Sequence, residues 1–355
     1  VNLGVRWEAD TAMSDANGRM NGFGATEVNP VSGTPGVVEF AGREGLPARF
    51  YDTDWNNVGP RAGFALRVPG TDTAVLRGGY GVFVGHPFDR GVTTAASLGF
   101  ELSARLVSPD GGVTPPFLLA QGVPVTPARP ELTPAFGAAA PGQIPNTAVT
   151  FFERARSTSY AHQYHLGLGR SLAGRATVEL SILGNLGRKL AGGNLSINQI
   201  RPELMGPGAS QALRPFPQYA DVQIVAPSLG VSSYHAAMIR VERRFSGGLQ
   251  FAGSYTWSKL LSNVDGGEQN GGGEATYSDF YNRRADWGAS ENDIRRRFTW
   301  SSTWQLPFGR GGRLLRGGLP ALIAGGWGLG SIVTIQSAPP FTVTAQTNTT
   351  YAFPA

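Results

Sequence analysis

Residues able to do chemistry are sparse in this chain, and their spacing argues against a reaction centre. There are four histidines, His86, His162, His165 and His235, and no cysteine, which excludes disulfides and thiolate metal sites. His162 and His165 stand three apart in an alternating segment, so they face opposite sides of a strand and cannot chelate one metal as neighbours. The stretch DGGEQNGGGE (265–274) gathers Asp265, Glu268 and Glu274. Calcium takes such oxygen ligands, but the spacing matches neither an EF-hand nor a nonapeptide repeat and reads as a flexible outer loop. GGYGVFVG (78–85) has the glycines of a phosphate cradle, yet that motif needs a helix to follow, and Pro87 and further glycines follow instead. The densest charge cluster is RRADWGASENDIRRR (283–297). Either Arg295–Arg297 contact lipopolysaccharide phosphates, or Arg283, Arg284, Asp286, Glu291 and Asp293 form salt-bridged loop packing; packing is favoured. No GxSxG elbow, Ser/His/Asp arrangement or carboxylate pair stands out. The expectation is no enzyme, no metal and no cofactor.

Composition narrows the class. Glycine is 50 of 355 residues, about twice the usual ~7% share, and charged residues are 15% against a usual ~25%. No apolar run reaches the ~18 residues of a membrane helix. The net charge is +5, with Lys only at 189 and 259. The arginines are scattered instead of forming a stripe, and no recognition helix or RNP-like motif accompanies them, so nucleic acid is not an expected partner.

The residues that do recur with a rule are apolar ones at every second position. In FSGGLQFAGSYTWSKLLSN (245–263), Leu249, Phe251, Tyr255 and Trp257 alternate with Gln250, Ser254, Thr256 and Ser258. In RRFTWSSTWQLPF, Phe298, Trp300, Trp304 and Leu306 alternate with Thr299, Ser301 and Thr303. A two-residue period makes a strand with one apolar and one polar face. The same pattern predicts strands at 1–8, 57–68, 73–85, 157–171, 176–187, 233–245, 249–262, 294–307 and 326–337. Several are longer than the ~5–6 residues of soluble sheets and close to the ~9–11 that cross a bilayer at ~45° tilt. Turns at Pro69–Asp72, Leu172–Arg175 and Ser246–Gly248 are tight, whereas 9–56, 86–156, 187–232 and 263–293 read as long irregular loops. Such asymmetry is that of an outer-membrane barrel, with short periplasmic turns and long outside loops. Gln250, Ser254, Thr256 and Ser258, like Thr299, Ser301 and Thr303, are small and uncharged, which suits a crowded lumen. Ring residues Trp7, Tyr160, Tyr164, Phe245, Trp257, Trp304, Phe308 and Trp327 cluster near strand ends, as interfacial girdles do.

The fold class expected is therefore all-β: an antiparallel transmembrane β-barrel segment of nine spanning strands. Leu249, Phe251, Tyr255, Trp257, Phe298, Trp300, Trp304 and Leu306 are expected to face lipid. Gln250, Ser254, Thr256, Ser258, Thr299, Ser301 and Thr303 are expected to face the lumen. QYADVQIVA (218–226) is a further strand that would break the direction count; it is expected outside the membrane, in a hairpin with 231–236. Single-chain bacterial barrels close with an even number of strands, and unpaired edges in lipid are prohibitive. Nine strands thus read as a piece of a larger barrel.

PRAGFALRVPGTDTAVLRGGYGVF, RPFPQYADV, YHAAMIRVERRFSGGLQFAGSYTWSKLL, YNRRADWGASENDIRRRFTWSSTWQLPFGRG and GGWGLGSIVTIQSAPPFTV, in this order, resemble successive blocks of the Oar-like TonB-dependent outer-membrane receptors. The resemblance covers most of residues 1–345. It implies a 22-strand barrel with an N-terminal plug, often preceded by a carboxypeptidase-regulatory-like β-domain. It further implies energisation by TonB, ExbB and ExbD, contact with outer-membrane lipid and lipopolysaccharide, and an extracellular ligand of unassigned identity. Ala338 and Pro339 stand where the family more often has Gly-Gln, and plug, TonB box, signal peptide and final strands are not among these blocks. Residues 346–355 read as the start of a truncated loop or tail. The leading expectation is a proton-motive-force-driven receptor or transporter. A passive adhesive barrel and a soluble β-sandwich repeat are the alternatives. Arginine at Phe251 is expected to cost about 2–4 kcal/mol if that site faces mid-bilayer lipid, falling to ~0–1 near an interface, with a milder effect at Ser254; equal losses of folded protein at both sites would overturn the facing.

Overall fold

The structure is a computed structural model, and it describes residues 1–49, 51–85, 96–100, 106–108, 110–111, 113–122, 131–264, 277–309 and 312–341. The glycine-rich acidic stretch 265–274, His86 and the tail 346–355 lie outside the described residues.

Nine long strands form one antiparallel sheet in which each pairs with the next long strand along the chain. They are β1 (Asn2–Glu8), β4 (Asn57–Arg67), β5 (Ala74–Val84), β7 (Tyr160–Leu172), β8 (Ala176–Arg188), β11 (Ser232–Ser246), β12 (Leu249–Ser262), β14 (Arg296–Gln305) and β15 (Gly328–Gln336). All nine predicted strands are present, with ends shifted by a few residues. A two-residue strand, β13 (Gly288–Ala289), pairs with the loop end of β12. The sheet does not close on itself among the described residues, since β1 pairs only with β4 and β15 only with β14.

Tight turns occupy one end of the sheet. Between β11 and β12, Gly247 and Gly248 take φ of 62° and 83°, the pair of positive values that a two-residue turn needs to match strand twist. One connection at this end is not tight: between β14 and β15 the chain forms a short helix, α1 (Gly318–Ala324), with Ala321 buried and Leu319, Leu322 and Ile323 exposed. No helix among the described residues is long and apolar enough to cross a membrane.

At the opposite end the long connections are more ordered than their composition suggests. Residues 9–56 contain a hairpin of β2 (Asn21–Val28) and β3 (Pro35–Phe40). β10 (Asp221–Ile224) is the strand expected near 218–226, but its partners differ from expectation. It pairs parallel with β6 (Ala148–Phe151) and antiparallel with β9 (Leu195–Ser196), not with 231–236. The reason is geometric: 232–246 is β11, and both of its edges are already taken by β8 and β12.

These loop segments, a cap at the loop end of the strands, share a hydrophobic core. Phe23, Val38, Phe40, Val149, Phe151, Phe216, Tyr219 and Val222 pack together, with Phe23 edge-on to Phe216 at 4.9 Å between ring centroids. A second cluster joins Met20, Tyr51, Ala96 and Phe152. Buried amides tie the backbone in. Asn198 donates to the carbonyls of Phe216 (3.0 Å) and Tyr219 (3.1 Å) and accepts from the Phe216 N–H (2.8 Å). Asn21 donates to the Thr150 carbonyl (2.8 Å) and accepts from the Leu98 N–H (2.9 Å). No residue of the nine long strands belongs to either cluster.

Each orphaned buried backbone group costs about 1–3 kcal/mol, so Asn198→Ala is expected to open the cap to limited proteolysis while the strands stay protected; unchanged cleavage would show the amide to be dispensable. Burial pushes the Tyr219 hydroxyl from its ordinary 10 up to about 12, against the hydrogen bond from Asn29. A group with a raised folded pKa stabilises fully below its unfolded value and loses that contribution as pH rises through the folded one. Cap protection should therefore decline between pH 10 and about 12, with less decline in Tyr219→Phe than in the parent.

Candidate functional site

The candidate site is the two-faced sheet itself. Register fixes which side chains share a face. One row runs Leu66, Leu76, Leu168, Leu180, Ile239, Tyr255, Phe298, Ile335 across adjacent strands. The row next to it runs Arg67, Val75, Gly169, Glu179, Arg240, Ser254, Thr299, Thr334. A single step along every strand thus exchanges an apolar row for a mainly polar one, as the strand period demands.

Among the described residues none covers the apolar face. Leu66, Leu168, Leu180, Ile239, Tyr255 and Ile335 are 39–64% exposed, as are Leu3, Val5, Val58, Phe64 and Ile182 to comparable or greater degrees. The only hydrophobic side chains of the nine strands that are buried are Ala74 and Ala236. Soluble monomers rarely expose contiguous apolar patches beyond a few hundred Å².

Leu249, Phe251, Tyr255, Trp257, Phe298, Trp300 and Trp304 all fall on this face by register. Phe251 and Trp300 stack at 4.9 Å with 17° between their planes, Trp300 lying over Gly253, where a Cβ would meet its Cε3 at 2.8 Å. Leu306 lies one residue past β14, half-buried, its N–H donating to the Trp327 carbonyl (2.9 Å). Indoles mark both ends of the face. At the loop end Trp7 stacks on Trp55 and donates to its carbonyl (2.9 Å); at the turn end Trp327 donates to the Ile323 carbonyl (2.8 Å).

Gln250, Ser254, Thr256, Ser258, Thr299, Ser301 and Thr303 share the opposite face. Ser254 and Thr299 join hydroxyls at 2.7 Å, and Ser258 donates to the Ile294 carbonyl at 2.8 Å. Away from β12 and β14 this face is more charged than those two strands suggest. It carries the Arg240–Glu242 ion pair (3.1 Å), an Arg6–Glu8 pair, and Arg61 with its guanidinium 4.5 Å from the Phe83 ring centre. Ile332 is its exposed apolar exception.

The histidines divide as the period requires. His162 lies on the apolar face with its Nδ1 2.7 Å from the Tyr80 hydroxyl. His165 lies on the polar face, where its ring and the Glu179 carboxylate both lean over Gly167. His235 bridges the Tyr164 hydroxyl (2.6 Å) and Ser233 Oγ (3.0 Å). Sequence spacing missed these cross-strand pairs because partners 71 or 82 residues apart meet only through register. The basic cluster splits too. Asp293 is buried, accepts the Leu260 N–H (2.8 Å) and pairs with Arg295 (3.4 Å), which is loop packing, while Arg296 and Arg297 take opposite faces of β14. Among the described residues no group of three His, Asp or Glu is arranged to hold a metal ion.

Solved structures with a similar arrangement include the FrpB iron transporter from Neisseria meningitidis, at 11% identity over 70% of this chain and 24% of that one, TM-score 0.35. The alcaligin outer membrane receptor FauA from Bordetella pertussis matches at 14% identity over 85% and 32%, TM-score 0.36. The outer membrane transporter YddB from Escherichia coli matches at 10% over 76% and 28%, TM-score 0.39. The chain thus spans about a quarter to a third of the length of these structures. No curated protein sequence matches it. The family described as outer membrane beta barrel domain matches residues 1–354. With its sequentially paired strands and uncovered apolar face, the chain belongs to the outer membrane β-barrel domain family and is a protein of the outer membrane.

Proposed function

We propose that the nine strands are a sector of a larger transmembrane barrel of the Oar-like TonB-dependent type, whose whole protein captures an extracellular ligand and moves it in a proton-motive-force-driven way. The observation that carries this reading is the uncovered apolar face, which the hydrophobic effect leaves unstable in water and stable against acyl chains. Leu249, Phe251, Tyr255, Trp257, Phe298, Trp300, Trp304 and Leu306 then lie toward lipid, and Gln250, Ser254, Thr256, Ser258, Thr299, Ser301 and Thr303 toward the lumen. The cap sits on the outside, where ligand is met first. The order of the family-like blocks supports the receptor type, and TonB, ExbB and ExbD would energise the full-length protein.

Leu180→Arg, in the middle of the apolar face, is expected to cost about 2–4 kcal/mol of folding stability in bilayers, whereas Ser254→Arg costs much less; denaturant titration in vesicles reads both, and equal losses would sink the orientation. Phe251→Arg should be milder than Leu180→Arg, because Phe251 pairs with Arg243 near the turn end. In cells, uptake of the ligand should stop when a protonophore collapses the proton-motive force while surface binding persists; uptake indifferent to that treatment would favour a passive barrel.

A further inference from the structure

One connection at the turn end is built inside out. In α1 the buried side chain is a small one, Ala321, while Leu319, Leu322 and Ile323 are 71–78% exposed. Spacings of three and four put those three on one helical face. A helix packed on its own protein would turn such a face inward. Here the inner side is taken up by backbone: a Cβ on Gly325 would come within 2.9 Å of the Gly309 Cα. Just ahead of the helix Leu314 and Leu315 are exposed as well, and they lie between Arg313 and Arg316, both also exposed. The Arg316 Nε–H donates to the Gly312 carbonyl (3.0 Å). No Asp or Glu follows Asp293 in the sequence, so this connection carries no carboxylate of its own to offset the guanidiniums. It also adjoins the apolar face. Trp327 stands two residues before Leu329 and so on the same side of the sheet. Its indole N–H donates to the Ile323 carbonyl (2.8 Å), and its own carbonyl accepts the Leu306 N–H (2.9 Å). Apolar surface thus continues from Trp304 and Leu329, through Trp327, to the exposed side of α1.

We propose that α1 is an in-plane anchor on the inner, periplasmic leaflet of the membrane, seated on anionic glycerophospholipid. Leu319, Leu322 and Ile323 enter the boundary between headgroups and acyl chains, and Arg313 and Arg316 meet lipid phosphates. Two observations select this occupant: the continuity with the apolar face, and positive charge left unbalanced beside exposed leucines. Apolar residues on one side with arginines flanking them are what hold a helix in the plane of an interface, and an indole such as that of Trp327 suits the same depth. Charge-assisted contacts from guanidinium to phosphate supply the preference for anionic lipid. The inference rests on the lipid-facing orientation proposed above and adds a second membrane contact, made by a connection instead of by the wall.

The chain has no cysteine of its own, so Leu322→Cys offers one place for a fluorophore. The test uses the full-length protein in phosphatidylcholine vesicles with a minor share of phosphatidylglycerol. A nitroxide quencher near the headgroup is carried either on the phosphatidylglycerol or on an equal amount of phosphatidylcholine. The fluorophore at position 322 is expected to be quenched by both, and roughly fivefold more strongly by the phosphatidylglycerol form, the factor that one arginine near an anionic surface supplies. Arg313→Gln with Arg316→Gln should remove that preference. Equal quenching by the two lipids in the parent overturns the phosphate contact. A fluorophore at 322 that neither lipid quenches overturns the anchor and leaves the face to a periplasmic protein. The same fluorophore on Leu180→Cys, read with a quencher deep in the acyl chains, separates this inference from the one beneath it. Quenching at 180 with none at 322 overturns only the anchor, whereas none at either position overturns the lipid-facing wall as well.

Discussion

The constraint on which the rest of this structure depends is that nine strands satisfy one another's backbone hydrogen bonds edge to edge while leaving an apolar face that no other described residue covers. In a soluble sheet protein the long strands carry the core, because burying their apolar face is what offsets the conformational entropy of ordering them. Here the two buried clusters lie wholly in the connections. The wall therefore takes its stabilisation from an external apolar medium, and the backbone pairing that would be one contribution among several in water becomes obligatory in lipid. Sequential antiparallel order is the arrangement that meets this demand with the shortest connections at one end.

The cap obeys ordinary soluble rules. Its aromatic core is buried, its amides are saturated, and Asn21 and Asn198 do the work that a continuous strand ladder would do elsewhere by bonding to carbonyls and N–H groups of other loops. The same chain thus runs two patterns. Alternation with exposed apolar residues holds in the wall, and aromatic clusters separated by glycine and proline hold above it. That division leaves the polar face of the sheet free of bulky packing and open to charged groups such as Arg240 and Glu242.

The wall was almost wholly legible in the sequence, because a period of two is a local signal and each strand needs only its neighbours in sequence. Strand ends differed by a few residues, as at Tyr160 and Arg296, since pairing stops where register does, a fact no single strand records. The cap was not legible. Phe23, Val149 and Tyr219 lie in three separate connections, and nothing local to any of them announces the others. The segment 218–226 shows the limit well: its alternation gave the strand, but its partners depended on both edges of β11 being occupied. Likewise, Ser302 paired to Ser331 on the apolar face (2.8 Å) shows a polar side chain tolerated there through a cross-strand bond that register alone reveals.

The shared cap core also bears on how such a protein can change. Since β2–β3, β6 and β9–β10 belong to different connections yet bury one another's side chains, the loops are not exchangeable modules. A substitution at Phe23 alters the cavity that Tyr219 and Phe151 must fill, so inward-pointing loop positions are bound to drift together, and single-residue diversification is left to the outer surface of the cap. A protein built this way diversifies by recolouring a fixed scaffold, not by swapping its loops one at a time.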